Sequence, residues 1–165
     1  MNTFPAKLDN LAKTLTVVVI TILIIPFLGI WNRYSMNHDY KMIIPPVLII
    51  VVMLFTALFR PKAYLINASV LKIIQVGFSR TIPTENIESV IPVSKPDLGF
   101  GLRAFGSGGF LGYIGKFWYA KIGFVTCYIT DHNKMLLVRL KNGKKLMISP
   151  DDQLGFLEAF RQAKS

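Results

Sequence analysis

Few residues in this 165-residue chain can do chemistry, and their spacing limits what each could do. The single cysteine, Cys127, alternates with Val125 and Ile129 in a strand-like run, a setting that buries a thiol and leaves it inert. Alone it forms no internal disulfide, which is compatible with a reducing cytoplasm. His38 falls in a linker and His132 in a predicted turn, and neither neighbours a nucleophile, so both read as surface histidines. Ser69 and Lys72 have a serine-lysine spacing that works on a helix, but on a strand residues three apart face opposite ways. There is no Cys-x-x-Cys pair and no His-Glu-x-x-His, so no metal and no cofactor is expected. Asp151 and Asp152 could be drawn as an acid and base pair. Their place after Ser149-Pro150 explains them as the start of a helix, with Ser149 as N-cap, Pro150 in the first helical position and two acids at the positive dipole end. The chemistry available is therefore that of binding surfaces, and no catalytic residue is assigned.

Two stretches could form such surfaces. The first runs from Gly99 to Trp118 and mixes glycines with Phe105, Phe110, Leu111, Tyr113, Phe117 and Trp118. It fails as a phosphate loop, because Phe110 stands where Gly is needed and Phe117 replaces the magnesium-binding Ser or Thr. Gly99-Phe-Gly-Leu-Arg-Ala104 fits a loose dinucleotide pattern without the required strand-turn-helix context. It reads as a long inter-strand loop too apolar to be free: it folds over the mouth of a barrel, or it presents Phe110 and Leu111 to lipid or a partner. The second stretch is a basic tip, with Arg139, Lys141, Lys144 and Lys145 around Asn142-Gly143. Its readings are a solvated hairpin end or a contact for anionic headgroups.

The elements that must position these residues divide the chain in two. Leu15 to Trp31 and Met42 to Phe59 contain no Asp, Glu, Lys or Arg. Each approaches the roughly 20 apolar residues a helix needs to cross a bilayer. The short linker between them carries Trp31, Tyr34 and Tyr40, rings suited to the membrane interface. This predicts a two-helix transmembrane hairpin with a short amino-terminal tail over residues 1–62, and one soluble domain over 63–165. No small-x-small cleavage site follows Ile30, and a second apolar segment comes soon after, so the first segment is not read as a signal peptide. Lys7 and Lys13 precede the pair, Arg60 and Lys62 follow it, and Arg33 and Lys41 lie between, a narrow bias towards both ends cytoplasmic at the inner membrane. The net charge of +10 is then explained by an anionic membrane surface without nucleic acid.

Beyond Lys62 the pattern is that of strands. Ala63 to Ile66, Val70 to Val76, Phe78 to Ile82 and Ile87 to Pro92 read as successive antiparallel strands. Ile122 to Thr130, Met135 to Leu140 and Lys145 to Ile148 read as a three-stranded meander, with Asn142-Gly143 as a type I′ turn. A final amphipathic helix places Leu154, Leu157, Phe160 and Phe156 against the sheet.

Six or seven antiparallel strands closed by one helix is the element order of a pleckstrin-homology (PH)-like barrel. The segment from about Tyr64 to Phe160 resembles a bacterial PH-domain family often found behind two transmembrane helices. The resemblance rests on Ile82-Pro-Thr-Glu-Asn-Ile-Glu-Ser-Val90, Arg103 to Phe117, Tyr128-Ile-Thr130 and Ile148-Ser-Pro-Asp151. It implies an α+β protein, a membrane helical hairpin followed by a PH-like antiparallel β-barrel or sandwich closed by a C-terminal helix. It implies little about activity, because the family is defined by its fold. Phosphoinositide binding through the first hairpin is disfavoured, since only Lys72 and Arg80 lie near it. The expected function is a membrane-anchored, non-enzymatic module that binds a protein or ligand at the cytoplasmic face. The alternative is an accessory subunit of a membrane enzyme or transporter that makes its contacts through the hairpin. The expected partners are the lipid bilayer and either a protein or further copies of this chain.

Overall fold

The computed structural model describes residues 2–37, 41 and 43–164, without the side chains of 26, 30 and 32–37; His38 and Tyr40 of the expected linker lie outside the described residues. The first apolar stretch forms helix α1, Asn10–Asn37, which extends through part of the expected linker. The second forms α2, Ile44–Leu58, with Pro45 and Pro46 in its first turn, where a missing N–H costs nothing. At about 1.5 Å per residue α1 is long enough to cross a bilayer, whereas the 15 residues of α2 span only about 22 Å, less than the roughly 30 Å hydrocarbon core. Among the described residues the expected pair is thus one helix of spanning length and one shorter apolar helix.

The tail assigned with the hairpin joins the sheet of the segment that follows the helices. Strand β1, Asn2–Pro5, pairs antiparallel with β2, Pro61–Ile66, in the register Asn2 with Ile66. Strands β3, Val70–Gln75, and β4, Ser79–Pro83, complete a four-stranded sheet in the order β1-β2-β3-β4.

A second sheet of six strands follows, so of the expected barrel or sandwich the domain is not a closed barrel but two sheets. The break has a local cause. After Pro83 a 3-10 turn over Thr84–Asn86 is pinned to the β2–β3 turn, through Thr84 N–H to Ser69 O at 2.9 Å and Thr84 Oγ to Asn67 O at 3.1 Å. The chain leaves the first sheet there. Strand β5, Ile87–Val93, pairs instead with β9, Met135–Leu140. A short helix α3, Lys95–Leu98, leads to β6, Gly101–Gly109, at the opposite edge, then β7, Gly112–Tyr119, and β8, Gly123–Ile129. With β10, Lys145–Ile148, the order is β5-β9-β10-β8-β7-β6.

The carboxy-terminal meander is corrected too, because β10 inserts between β8 and β9 and runs parallel to β8. Ser149 is the reason. Its hydroxyl accepts the N–H groups of Thr130 and Asp131 at 2.8 and 3.2 Å and contacts Thr130 Oγ at 3.1 Å, tying the end of β10 to the end of β8. With Ser149 so engaged, the last helix α4 begins later, at Gln153, and Asp152 caps it by accepting the Gly155 N–H at 2.9 Å. The later start turns the stripe: Phe156, Ala159 and Phe160 are buried and Leu154 is 75 % exposed, against the expectation that Leu154 packs. At Asn142-Gly143 only Gly143 takes a positive φ, 78°, so the turn is not type I′.

The second sheet is buried on both faces over its middle strands. Leu136, Val138, Leu140, Leu146 and Ile148 face the first sheet and α4, while Met135, Leu137, Met147, Cys127 and Val125 pack with Tyr113, Phe117, Tyr119 and Leu98 on the other side. One tyrosine joins the sheets. The fully buried Tyr64 of β2 donates to Tyr128 O at 2.5 Å and accepts the Ser149 N–H at 3.2 Å, and burial pushes its hydroxyl up to about 12. Tyr64→Phe leaves both groups without this partner in the core, so a loss of roughly 1–3 kcal/mol is expected in a denaturant titration.

Candidate functional site

Among the described residues no three His, Cys, Asp or Glu side chains group as metal ligands. Cys127 is fully buried, and burial pushes its thiol up to about 12 despite a hydrogen bond from Tyr119. Ser69 belongs to a turn in which Asn67 Oδ1 accepts the N–H groups of Ser69 and Val70. Gly115 and Lys116 lie within β7. What the fold builds is a base that grips both helices and an open sheet face away from it.

The base has three parts. Asp9 caps α1: one carboxylate oxygen accepts the Ala12 N–H at 2.6 Å and the other the His132 N–H at 3.3 Å, while Asp9 N–H donates to Thr130 O at 2.9 Å. His132, expected on the surface, is half-buried with its ring 3.8 Å from that of Tyr113; burial first, then Lys95, lowers its pKa. Further along α1, Thr16 Oγ donates to Ala12 O at 2.6 Å and accepts the Leu111 N–H at 3.0 Å.

Leu111 identifies the second part. The glycine-rich stretch, expected as a long loop, is the β6–β7 hairpin, and Phe110-Leu111 is its two-residue tip. Leu111 has φ 57°, and Gly109 and Gly112 beside it have φ 126° and 120°. The glycines permit close approach: a Cβ at Gly106 would lie 2.0 Å from Ile114 O, one at Gly115 2.1 Å from Phe105 O, and one at Gly109 2.6 Å from Leu15 Cδ1. A strand so poor in side chains escapes a reading based on β-propensity.

The third part is the β3–β4 turn. Gly77 N–H donates to Leu58 O at 2.8 Å, Val76 N–H to Arg60 O at 3.0 Å, and the buried Gln75 Nε2 to Phe59 O at 2.6 Å, which satisfies carbonyls orphaned at the end of α2. Phe78 stacks on Phe59 with ring centres 5.0 Å apart.

The structure places the two sequence-derived surfaces at opposite ends. Phe110 and Leu111 are at the base against α1. The basic tip lies at the far end of the sheet, because β9 starts beside the Thr130 end of β8 and runs away from it. Arg139 pairs across from Lys145, whose Nζ donates to Ile122 O at 2.6 Å, while Lys141 and Lys144 are exposed in the turn.

A third surface was missed. Leu102, Trp118 and Phe124 are cross-strand neighbours on one face of β6, β7 and β8, beyond the reach of the first sheet. Phe105 and Lys116 form the next row. Leu102, Phe105 and Phe124 are 54, 79 and 69 % exposed, too much apolar surface for strands that only fill a core. Arg80 marks the border, donating to Tyr128 Oη at 2.8 Å. The signal was present in the sequence: Phe124 falls on the opposite side of β8 from Val125 and Cys127, which left it without a buried partner.

Two sheets, the second packed under a carboxy-terminal helix, agree with the comparison to known families: the model described as "Bacterial PH domain" matches residues 62–164. The chain belongs to the bacterial PH-domain family. No curated protein and no solved structure matches it. The matched segment begins within β2, so β1, which closes one edge of this PH domain, precedes it.

Two predictions follow from the base. Gly115→Ala forces a Cβ onto a backbone carbonyl at a φ of 130°, so it should lower stability by at least about 1–3 kcal/mol in a thermal or denaturant melt. At the rim, Asp151 pairs with Lys134 at 2.5 Å and Lys7 at 2.7 Å, and its N–H donates to Pro5 O at 2.9 Å, tying the tail to the domain. The hydrogen bonds from Lys134 and Lys7 hold its carboxyl at about 2, below the ordinary 3.8. A lowered pKa stabilises the fold above the unfolded value and loses that contribution as pH falls through the folded one. Protection of the β1 amides from hydrogen exchange should therefore decline between about pH 4 and pH 2, and Asp151→Asn should remove that step.

Proposed function

We propose that this chain is a membrane-anchored, non-enzymatic binding module, a PH domain held against the bilayer by a two-pass helical hairpin and facing the cytoplasm. The observation that carries the reading is the pairing of β1 with β2. One strand precedes α1 and the other follows α2, so the chain leaves and returns to the same sheet across two apolar helices. A first helix that crosses requires a second that comes back. The short α2 can be matched to the membrane by local thinning and by Lys41 and Arg60 reaching from its ends to the interfaces. Family membership supports the binding role, because PH domains generally serve as non-catalytic binding modules. Hydrogen bonds at Asp9, Thr16, Gln75 and Gly77 fix the domain to both helices, which would give a partner a defined height and orientation above the bilayer.

The basic tip is turned away from the helices, and so from the headgroups of the bilayer that would hold them. A second reading, an accessory subunit that binds through the hairpin, is favoured by one feature. An apolar groove of about 450 Å³ between α1 and α2 is lined by Ile20, Ile24, Phe27, Pro46, Ile50 and Met53 among others, space into which a further apolar helix could pack.

Topology is the test. Cys127 is buried and inert, so introduced cysteines can be read against a quiet background. In intact spheroplasts an impermeant thiol reagent should label Ser35→Cys, near the carboxy-terminal end of α1, and spare Asn142→Cys at the far turn of the domain. Labelling of Asn142→Cys alone would reverse the orientation, and equal labelling of both would remove the two-pass arrangement.

A further inference from the structure

The four sheet edges are not equivalent. Edge strands expose unpaired N–H and C=O groups, and proteins blunt them with short length, proline or charge. β1 has four residues and ends in Pro5, β4 ends in Pro83, and β5 carries Pro92. β6 is the longest strand, with nine residues, contains no proline, and has no strand on its outer side among the described residues. Its side chains alternate in a useful way. Leu102 and Phe105 share the exposed face with Trp118, Lys116 and Phe124, while Arg103 lies on the other face. There Gly108 is bare, and Arg103 Nη1 lies 3.1 Å from where a Cβ would stand, so the guanidinium rests along the strand within reach of a neighbour.

The charge is one-sided. No Asp or Glu occurs in residues 61–83 or 101–130, which supply β2 to β4 and β6 to β8, whereas Lys62, Lys72, Arg80, Arg103, Lys116 and Lys121 do. A second copy of this chain is a poor occupant. Over its first turns α1 passes from Asp9, beside His132 and Tyr113, to Thr16 at Leu111, so β6 points along α1 towards the membrane. Antiparallel pairing of β6 with its copy would aim the second copy's helices out of the bilayer. Parallel pairing about an axis along the strand would set N–H against N–H.

We propose that β6 is a docking edge that takes an extended segment of a partner protein as a seventh strand of the second sheet, with acidic and apolar residues alternating along the segment. Its apolar side chains lie beside Leu102 and Phe105, and its carboxylates lie beside Arg103. The inference rests on the anchored-module reading and names that module's partner by its chemistry.

The full-length protein in nanodiscs, with Trp31→Phe so that Trp118 is the sole tryptophan, is titrated with nine-residue synthetic peptides and followed by Trp118 emission. A Glu-Leu alternating peptide should shift the emission and bind at least about tenfold more tightly than its Lys-Leu counterpart, as expected for complementary charge. N-methylation of alternate amides on the edge-facing side should abolish binding, since it removes strand hydrogen bonds and keeps the side chains. Arg103→Glu should reverse the charge preference. Neutralising Arg139, Lys141, Lys144 and Lys145 together should leave binding unchanged. Binding indifferent to N-methylation or to Arg103→Glu, binding lost with the four-site variant, or no emission change with any peptide would overturn the proposal. Reversed thiol labelling with peptide binding intact would instead remove the cytoplasmic placement and leave the docking edge standing.

Discussion

The pairing of Asn2–Pro5 with Pro61–Ile66 is the constraint on which the rest of the arrangement depends. It closes a loop that contains both apolar helices, so neither can be placed without fixing the other. Such a closure costs entropy that grows only slowly with loop length, and a bilayer that aligned the two helices would lower it further. The strand also covers β2, whose edge would otherwise be unpaired. Phe4 then packs edge-on against Phe156 of α4 with ring centres 5.3 Å apart, so the strand that precedes the first helix and the last helix of the domain share one core.

A second dependency runs through Ser149. Its hydroxyl and backbone N–H together hold β8, β10 and Tyr64, and they do so at the end of the sheet nearest α1. The neighbouring Thr130 carbonyl accepts from Asp9 at the start of that helix. The start of the helix is thus linked to the strand junction by a run of hydrogen bonds, several of them buried, where each is worth more than in water. The domain is seated on its anchor more than tethered to it.

Much of the fold could be read from the sequence. Alternation placed Met135–Leu140 and Lys145–Ile148 at their observed limits and the other β-branched strands within about two residues. What could not be read was decided over long range or by residues without side chains. Ser149 has the chemistry of both a helix cap and a strand clasp, and only the proximity of Thr130 selects the second. Glycine carries no hydrophobic signal, so β6 looked like a loop although it pairs with β7 from Gly101 to Gly109, with one irregularity between Arg103 and Phe105. β1, four residues near a helix, offered no periodicity to detect. The candidate surfaces were half legible for the same reason. The basic tip lies where a hairpin was expected, and the apolar character of the Gly99 to Trp118 stretch was noticed. That its most exposed apolar residues are Phe100, Leu102 and Phe105, while Phe110 and Leu111 sit at the helix, follows from the folded register.

The two ends of the domain are under opposite demands. At the base, apolar tips and capped carbonyls pack against the ends of both helices, where a buried polar group needs a protein partner; Arg60 Nε and Tyr113 Oη are buried there without a hydrogen bond among the described residues. Gln75, Asp9 and Thr16 are the polar side chains that meet this demand, each bonded to backbone. At the far end water satisfies the backbone, and an edge strand can remain open without the same penalty. Cations without acids on strands β2 to β4 and β6 to β8 keep such an edge from pairing with copies of itself, because like charges would be brought together. The same positive field attracts an acidic chain. One charge pattern would therefore oppose self-association and favour a partner of opposite sign, which reconciles a long, proline-free edge with the proposed membrane anchoring.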